Sequence, residues 1–271
     1  MKSLKQLKSE YIVQNLTAFC PGCGNGMILN CFVRAIDELG IPVDSVLSVA
    51  GIGCSAWIPS PHFRGDTLHT THGRAIAFAT GVKLANPSLN VVVVMGDGDA
   101  AAIGGNHLLH AARRNIDVTA LVLNNSIYAM TGGQVSPAMP YGDLSATTPY
   151  GNIDPQMDIC GVAIAAGATH VARWTTFHHH QLAAAIRDGM RHHGFSLVEA
   201  VFQCPVQYGE KNRKGTAAEM LRSLEQRSKL PDIAGDNPPP GTIVIGQLAC
   251  RERPEYGDAV AELRRRAAGG R

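Results

Sequence analysis

The stretch VVVVMGDGDAAAIGGNHLLHAARRNIDVTALVLNNSIYAMTGGQ, residues 91–134, decides the fold. Its valine run ends in Gly96-Asp97-Gly98, and a second apolar run, Val118–Leu123, ends in Asn124-Asn125. Each run is short, free of charge and followed by turn residues, the pattern of a strand buried on both faces. Between them Gly104–Arg114 carries apolar residues at helical spacing. A strand–helix–strand unit joins parallel neighbours, so both turns open at one end of the sheet. Asp97 and Asn125 are thereby delivered to the same place.

Two oxygen-bearing side chains at that end suit a hard cation carrying a diphosphate. Magnesium takes a near-octahedral set of oxygens, one or two from side chains and the rest from phosphate, water or backbone carbonyls. Asp97 offers a carboxylate, Asn125 an amide oxygen, and the carbonyl of Ile127 reaches back from the turn. Gly96 and Gly98 admit the anion close to the main chain. A helical segment after Asp99 would turn its free N–H groups toward it. Either turn alone is ordinary; the two together, each after an apolar strand, are the signal.

Outward from this unit, Gly24–Leu39 reads as a helix, Ser45–Ala50 as a strand and His72–Ala85 as a helix closed by Asn86-Pro87. A helix is expected from Asp154-Pro155 to about Ala166, with proline at its first position. Thr176–His192 reads as a further helix and Phe195–Phe202 as a strand. The alternation, with nearly all-apolar strands, predicts an α/β fold: a parallel sheet with helices on both faces. Thr131–Ile153 is rich in Gly, Pro and Thr and has little periodicity; it is expected to line a substrate entrance or meet a partner. After Lys229 the text shifts to PDIAGDNPPPG. Residues 1–230 are therefore read as one domain and 231–271 as a linker and C-terminal arm.

Composition excludes several classes. With 45% hydrophobic residues in 271, the chain can bury a large core. A formal charge of +2 gives no electrostatic case for nucleic acid. No apolar run nears a membrane span, and Met1–Gln14 is polar, unlike a secretory signal. Seven cysteines, an odd number with one CxxC, argue for a reducing cytoplasm.

Four of those cysteines stand out by place. Cys20-Pro-Gly-Cys23 precedes a helix, Cys54 follows the strand SVLSVA, and Cys204 follows FSLVEAVF. Cys54 and Cys204 emerge past C-terminal strand ends, where a parallel sheet gathers ligands. Four thiolates meeting there would hold a tetrahedral zinc or one [4Fe–4S] cluster, and spacing does not separate the two. Cys31 and Cys160 read as small core residues, Cys250 as part of the tail. His178-His179-His180 and His192-His193 flank one helix and read as solvated. His72 opens HGR before a helix, either as a cap or as a ligand contact.

FCPGCGNG (19–26), VAGIGCSAWIP (49–59), THGRAIAFATGVKLANP (71–87), GDGDAAAIGGNHLLHAARRN (96–115), NNSIYAMTGGQVSP (124–137) and CP (204–205), with weaker echoes at TIVIG (242–246) and ERPEY (252–256), complete the picture. The GDG–NN pair resembles the thiamine-diphosphate motif, and the whole text from about residue 11 to 256 looks like the β subunit of 2-oxoacid:ferredoxin oxidoreductases. The resemblance implies a thiamine-diphosphate-binding fold. It implies magnesium (Mg2+) on Asp97, Asn125 and the Ile127 carbonyl, and a [4Fe–4S] cluster on Cys20, Cys23, Cys54 and Cys204. It implies cofactor contacts from Ile52, Gly53, Cys54, Ser55, His72, Gly98, Asp99, Ala129 and Met130.

The implied reaction is oxidative decarboxylation of a 2-oxoacid to acyl-CoA and CO2, or its reverse, with electrons passing through the cluster to ferredoxin. NNSIYAMTGGQVSP looks most like the 2-oxoglutarate type; pyruvate and branched-chain 2-oxoacids are the alternatives. Gly132 stands where certain relatives have lysine, so a second carboxylate would be met elsewhere. No glutamate here lies in a motif suited to activating the cofactor: Glu38 ends an amphipathic helix and Glu199 lies in the last strand. In the family that glutamate comes from an α subunit, so an αβ or (αβ)2 assembly is expected, with room for further small subunits. The rival readings are a cluster-free thiamine enzyme and a zinc-stabilised, non-catalytic binding module. A nucleotide-binding oxidoreductase is disfavoured, because Asp97 would repel a pyrophosphate without a cation between them.

Overall fold

The valine run divides between two cores. Val92 and Val94 pack on one face of their strand, Val91, Val93 and Met95 on the other. All five are buried, as the alternation of a strand between two layers requires. Each valine buried in this way contributes about 1.5–3 kcal/mol. The computed structural model describes residues 2–13 and 18–269. The polar opening stretch runs partly outside them.

In chain order the strands are β1 (Val46–Ala50), β2 (Asp66–His69), β3 (Asn90–Gly96), β4 (Thr119–Asn124), β5 (Ile127–Tyr128), β6 (Gln134–Val135), β7 (His170–Thr175), β8 (Ser196–Val201), β9 (Ser228–Lys229), β10 (Ile243–Val244) and β11 (Gly246–Cys250). The helices are α1 (Leu4–Tyr11), α2 (Asn25–Leu39), α3 (Ala75–Ala85), α4 (Gly105–Arg114), α5 (Ile159–Ala166), α6 (His179–Arg191), α7 (Ala217–Arg227), α8 (Pro231–Ala234) and α9 (Tyr256–Ala268). The main sheet has the order β11-β7-β8-β4-β3-β1-β2. Its neighbours are parallel except β11, which runs antiparallel to β7 at the edge. One core packs α1, α2 and α6 on the sheet, the other α3, α4 and α5. Gly96 lies beside Leu123, and Asn124 beside Val201, so the turns after β3, β4 and β8 share one sheet end. None of the described helices is long and apolar enough to cross a membrane.

Three expectations change. The helix expected from Asp154-Pro155 begins only at Ile159. Asn152 is the cause: its amide donates to the Met139 and Asp154 carbonyls while its oxygen accepts from the Asp154 N–H, holding 139–157 as a pinned loop. α3 begins at Ala75, not His72, because Gly73 takes a φ of +74° and turns its N–H to Asp99. The arm expected from residue 231 is tied into the main sheet through β11. Arg253 then grips the Gly167 and Arg113 carbonyls at the ends of α5 and α4, and Glu255 caps α9 through the Asp258 N–H. This accounts for the ERPEY text.

Candidate cofactor cleft and thiol cluster

The expected cation donors meet. Asn125 presents its amide oxygen to the Ile127 carbonyl at 2.8 Å and to Asp97 Oδ1 at 3.1 Å, the distances over which its nitrogen would donate if the amide were turned end for end. The Asn125 oxygen also accepts the Ile127 N–H at 3.4 Å, and three oxygens converge on one point, an arrangement that a cation would stabilise. Asp97 is 2% exposed, and no Lys or Arg pairs with it among the described residues. Burial pushes its carboxyl up to about 7, against the pull of the Ser136 hydroxyl and of its own and the Gly98 N–H groups. An acid raised by burial and left without a counter-charge is a place for a bound cation.

The same cleft is lined by every residue expected to touch the cofactor: Ile52, Gly53, Cys54, Ser55, His72, Gly98, Asp99, Ala129 and Met130. Tyr128 lies beside them. Its hydroxyl donates to the Gly98 carbonyl at 3.0 Å, and a Cβ on Gly98 would collide with its ring. The glycine is thus required by the packed Tyr128 ring. Past Gly98 the chain makes a wide helical turn, Asp99–Ile103, before α4 begins at Gly105. Such wide turns recur at functional sites.

Asp99 does more than line the wall. Its two oxygens accept the Gly73 N–H and, at 3.1 Å, the Ile52 N–H, and His72 Nδ1 stands 3.8 Å away. It therefore staples three segments of the cleft, and a Cβ on Gly51 would strike its carboxylate. Ser136 and Tyr128 escaped the sequence reading. Tyr128 lies on β5 and Ser136 directly after β6, the antiparallel pair that folds the long loop back over the cation donors. The SP in TGGQVSP was the available signal.

The thiols gather next door. Each of Cys20, Cys54 and Cys204 lies close enough to Cys23 to disfavour its charge, and Cys20 and Cys204 do the same to Cys54. Burial pushes Cys23 up to about 12 and raises Cys54 and Cys204. N–H groups of Asn25, Gln207 and Tyr208 oppose this at Cys23 and Cys204, so donors already point at the sulfurs. Among the described residues no three of these sulfurs lie within 4.8 Å of one another. Four thiolates on a single zinc, at about 2.3 Å each, would be closer together than that. Gln203, also missed, ties the two thiol segments: its carbonyl accepts the Gly24 N–H at 3.1 Å and its amide donates to the Gly22 carbonyl at 3.1 Å.

The remaining cysteines fall where expected, whereas of the histidines expected to be solvated His178 and His192 are half-buried. Cys31 and Cys160 are buried and their thiols donate to the His179 carbonyl and to Glu199, while Cys250 lies exposed on β11. His178 bonds Thr175 and His192 bonds Thr169, whereas His179 and His180 are exposed. A larger cavity of about 310 Å³ shares Asn125 and Phe202 with the cofactor cleft. Its cations are engaged within the chain: Arg173 with Glu199 and Asp158, Lys214 with Asp143, and Arg227 with the Gly241 carbonyl. The donor-lined chemistry lies in the smaller cleft.

Comparison with known proteins agrees with this geometry. The family described as thiamine pyrophosphate enzyme, C-terminal TPP binding domain, matches residues 51–200. The 2-oxoglutarate synthase subunit KorB of Methanocaldococcus jannaschii is 50% identical over 249 residues, 90% of this chain and 92% of the relative. Subunit beta of 2-oxoacid:ferredoxin oxidoreductase 2 from Aeropyrum pernix is 42% identical over 72% of this chain and 63% of its own. Among solved structures, a 2-oxoglutarate:ferredoxin oxidoreductase from Magnetococcus marinus, with 2-oxoglutarate, coenzyme A and succinyl-CoA bound, superposes with a TM-score of 0.82 at 32% identity, over 97% of this chain and 91% of that one. With a matching cofactor-binding domain and a relative at half identity over nearly the whole length, the chain belongs to the thiamine-pyrophosphate-binding subunits of the 2-oxoacid:ferredoxin oxidoreductase family.

Proposed function

We propose that this chain is the β subunit of a 2-oxoglutarate:ferredoxin oxidoreductase, working in a reducing cytoplasm with an α subunit and ferredoxin. The observation that carries the reading is the convergence of Asp97, Asn125 and the Ile127 carbonyl beside a gathered set of four cysteines. Bound thiamine diphosphate supplies the electron sink for decarboxylating a 2-oxoacid, and a [4Fe–4S] cluster the one-electron outlet toward ferredoxin. The chain's own residues do the rest. Asp97, Asn125 and the Ile127 carbonyl hold magnesium and through it the diphosphate. Asp99 keeps the 51–53 and 72–73 walls at fixed separation. Tyr128 covers the Gly96-Asp97-Gly98 turn and excludes water from it. Cys20, Cys23, Cys54 and Cys204 carry the cluster, with the Gln207 and Tyr208 N–H groups steadying Cys204.

The activating acid comes from the α subunit. Glu199, the buried glutamate near the cleft, is held by Arg173, Asn124 and Cys160 and has no free oxygen to offer. Reconstitution with the α subunit tests this reading. The complex is expected to contain iron, sulfide, magnesium and thiamine diphosphate and to form acyl-CoA fastest from 2-oxoglutarate; the isolated, cofactor-loaded chain is expected to be inert. Zinc in place of iron would overturn the assignment of the cysteines. A preference for pyruvate or a branched-chain 2-oxoacid would overturn the substrate.

A further inference from the structure

The four thiols have an inner and an outer side. Cys54 lines the cofactor cleft beside Phe202, whereas Cys20 is exposed, Cys23 half-buried and Cys204 buried. An electron gained at the cleft therefore arrives on the Cys54 side. Its way out to solvent lies through the Cys20-Pro21-Gly22 loop, all three residues of which are exposed.

That loop is bordered by a basic turn. A Cβ on Gly22 would collide with Ala217, the first residue of α7, and would lie 3.7 Å from Pro205. Residues 210–215, which lead into α7, read EKNRKG. The Lys214 N–H donates to the Gly209 carbonyl and the Gly209 N–H to the Cys204 carbonyl, each at 2.9 Å, so the turn is fixed to the cysteine segment. Lys214 pairs with Asp143 and Lys211 donates to Gln207, but Arg213 is exposed and forms no ion pair among the described residues. From Cys204 to Lys229 six cationic side chains stand against three acidic ones, an excess larger than the +2 of the whole chain. Val206, next to Pro205 and 37% exposed, adds an apolar spot. A small apolar spot with a charged rim suits brief encounters, in which charge steers association and little area is buried.

We propose that the Cys20-Pro21-Gly22 loop and the 210–215 turn together form the docking surface for an acidic one-electron carrier protein, with Arg213 as its electrostatic anchor. This rests on the function proposed above and names where its ferredoxin binds. Each encounter passes one electron outward past the loop: the cysteine-held centre is oxidised, the carrier is reduced, and no proton or leaving group moves with it.

The test uses the reconstituted αβ complex, with its cofactors, and a small acidic bacterial ferredoxin. A carbodiimide, which joins lysine amines to carboxylates in direct contact, is expected to link Lys211 or Lys214 to the ferredoxin at low salt and to lose that link at high salt. Arg213→Glu is expected to raise the ferredoxin KM about fivefold at low ionic strength and to flatten its rise with salt. The rate with methyl viologen, a small dye that needs no docking surface, is expected to stay as in the wild type. Arg264→Glu, the same change of charge on α9, whose cap Glu255 holds the Asp117 N–H at the opposite end of the sheet, is expected to leave the ferredoxin KM unchanged. An unchanged KM in a fully loaded Arg213→Glu complex would overturn the inference, as would an equal rise in Arg264→Glu. Cross-links confined to other lysines, or running from the turn to the α subunit, would overturn it too. The wild-type cross-links decide the matter even if the variant fails to assemble. A wild-type complex lacking iron and sulfide, or inert toward ferredoxin and methyl viologen alike, would instead sink the functional reading beneath it.

Discussion

Two buried acids of the same sheet, one within β8 and one just past β3 with β4 between them, are treated in opposite ways. Glu199, at 1% exposure on β8, accepts from Asn124 at 2.7 Å, Arg173 at 2.6 Å and Cys160 at 3.1 Å. Asp97, at 2% exposure just past β3, receives a hydroxyl and backbone N–H groups but no Lys or Arg among the described residues. The chain supplies a complete counter-charge to one acid and withholds it from the other. An acid fully partnered from within is part of the scaffold; one raised by burial and facing other oxygens is reserved for something the chain does not contain.

Replacing each acid separates the two roles most sharply. Asp97→Asn in the αβ complex is expected to weaken magnesium–thiamine diphosphate binding by more than about 100-fold, beyond what loss of an outer partner costs. It should not lower the stability of the cofactor-free chain, since a buried neutral amide replaces a buried acid without a counter-ion. Cofactor titration by calorimetry, with melting curves on the same samples, checks both halves. Glu199→Ala is expected to do the reverse. It removes the buried acceptor shared by Arg173, Asn124 and Cys160 and leaves the guanidinium only the exposed Asp158 as a counter-charge, a loss of about 3 kcal/mol in denaturant unfolding, while cofactor affinity of the folded protein is unchanged. If the two variants behaved alike, the distinction would be wrong.

The sequence carried the cofactor cleft further than the framework around it. Asp97, Asn125 and Ile127 follow uninterrupted apolar strands, so their convergence needed only the rule that parallel strands end together. Cys54 and Cys204 were placed by the same rule. β2, β7 and β11 were not read, because DTLH, HVARWT and GQLAC mix polar and apolar residues without a clean period and gain their identity from the neighbours they pair with. Asn152 likewise gave no local sign that it would pin a loop where Asp154-Pro155 suggested a helix. Ser136, Tyr128 and Gln203 act through long-range contacts that no spacing rule encodes.

A smaller effect follows from pH. The cation binds ionised Asp97, whose carboxyl is raised to about 7. Affinity should therefore be nearly full at about pH 8 and fall about tenfold by about pH 6, as protons compete for the site. The folded, cofactor-free chain holds this proton more tightly than the unfolded chain does, so that chain should lose stability as pH rises from about 4 to 7. Magnesium titrations and unfolding curves at several pH values read the two slopes; Asp97→Asn should flatten both. Smaller still, Ser136→Ala removes one hydroxyl donor from Asp97 and should weaken cofactor binding by about 1 kcal/mol, roughly fivefold.

The most direct measurement is a crystal structure of the αβ complex loaded with manganese, in place of magnesium, and thiamine diphosphate, with the ion located by anomalous scattering. The ion is predicted to lie between Asp97, the Asn125 amide oxygen and the Ile127 carbonyl, with the diphosphate completing its shell. An ion bound elsewhere, or Asn125 donating N–H to Asp97 and Ile127 in the loaded protein, would contradict the account.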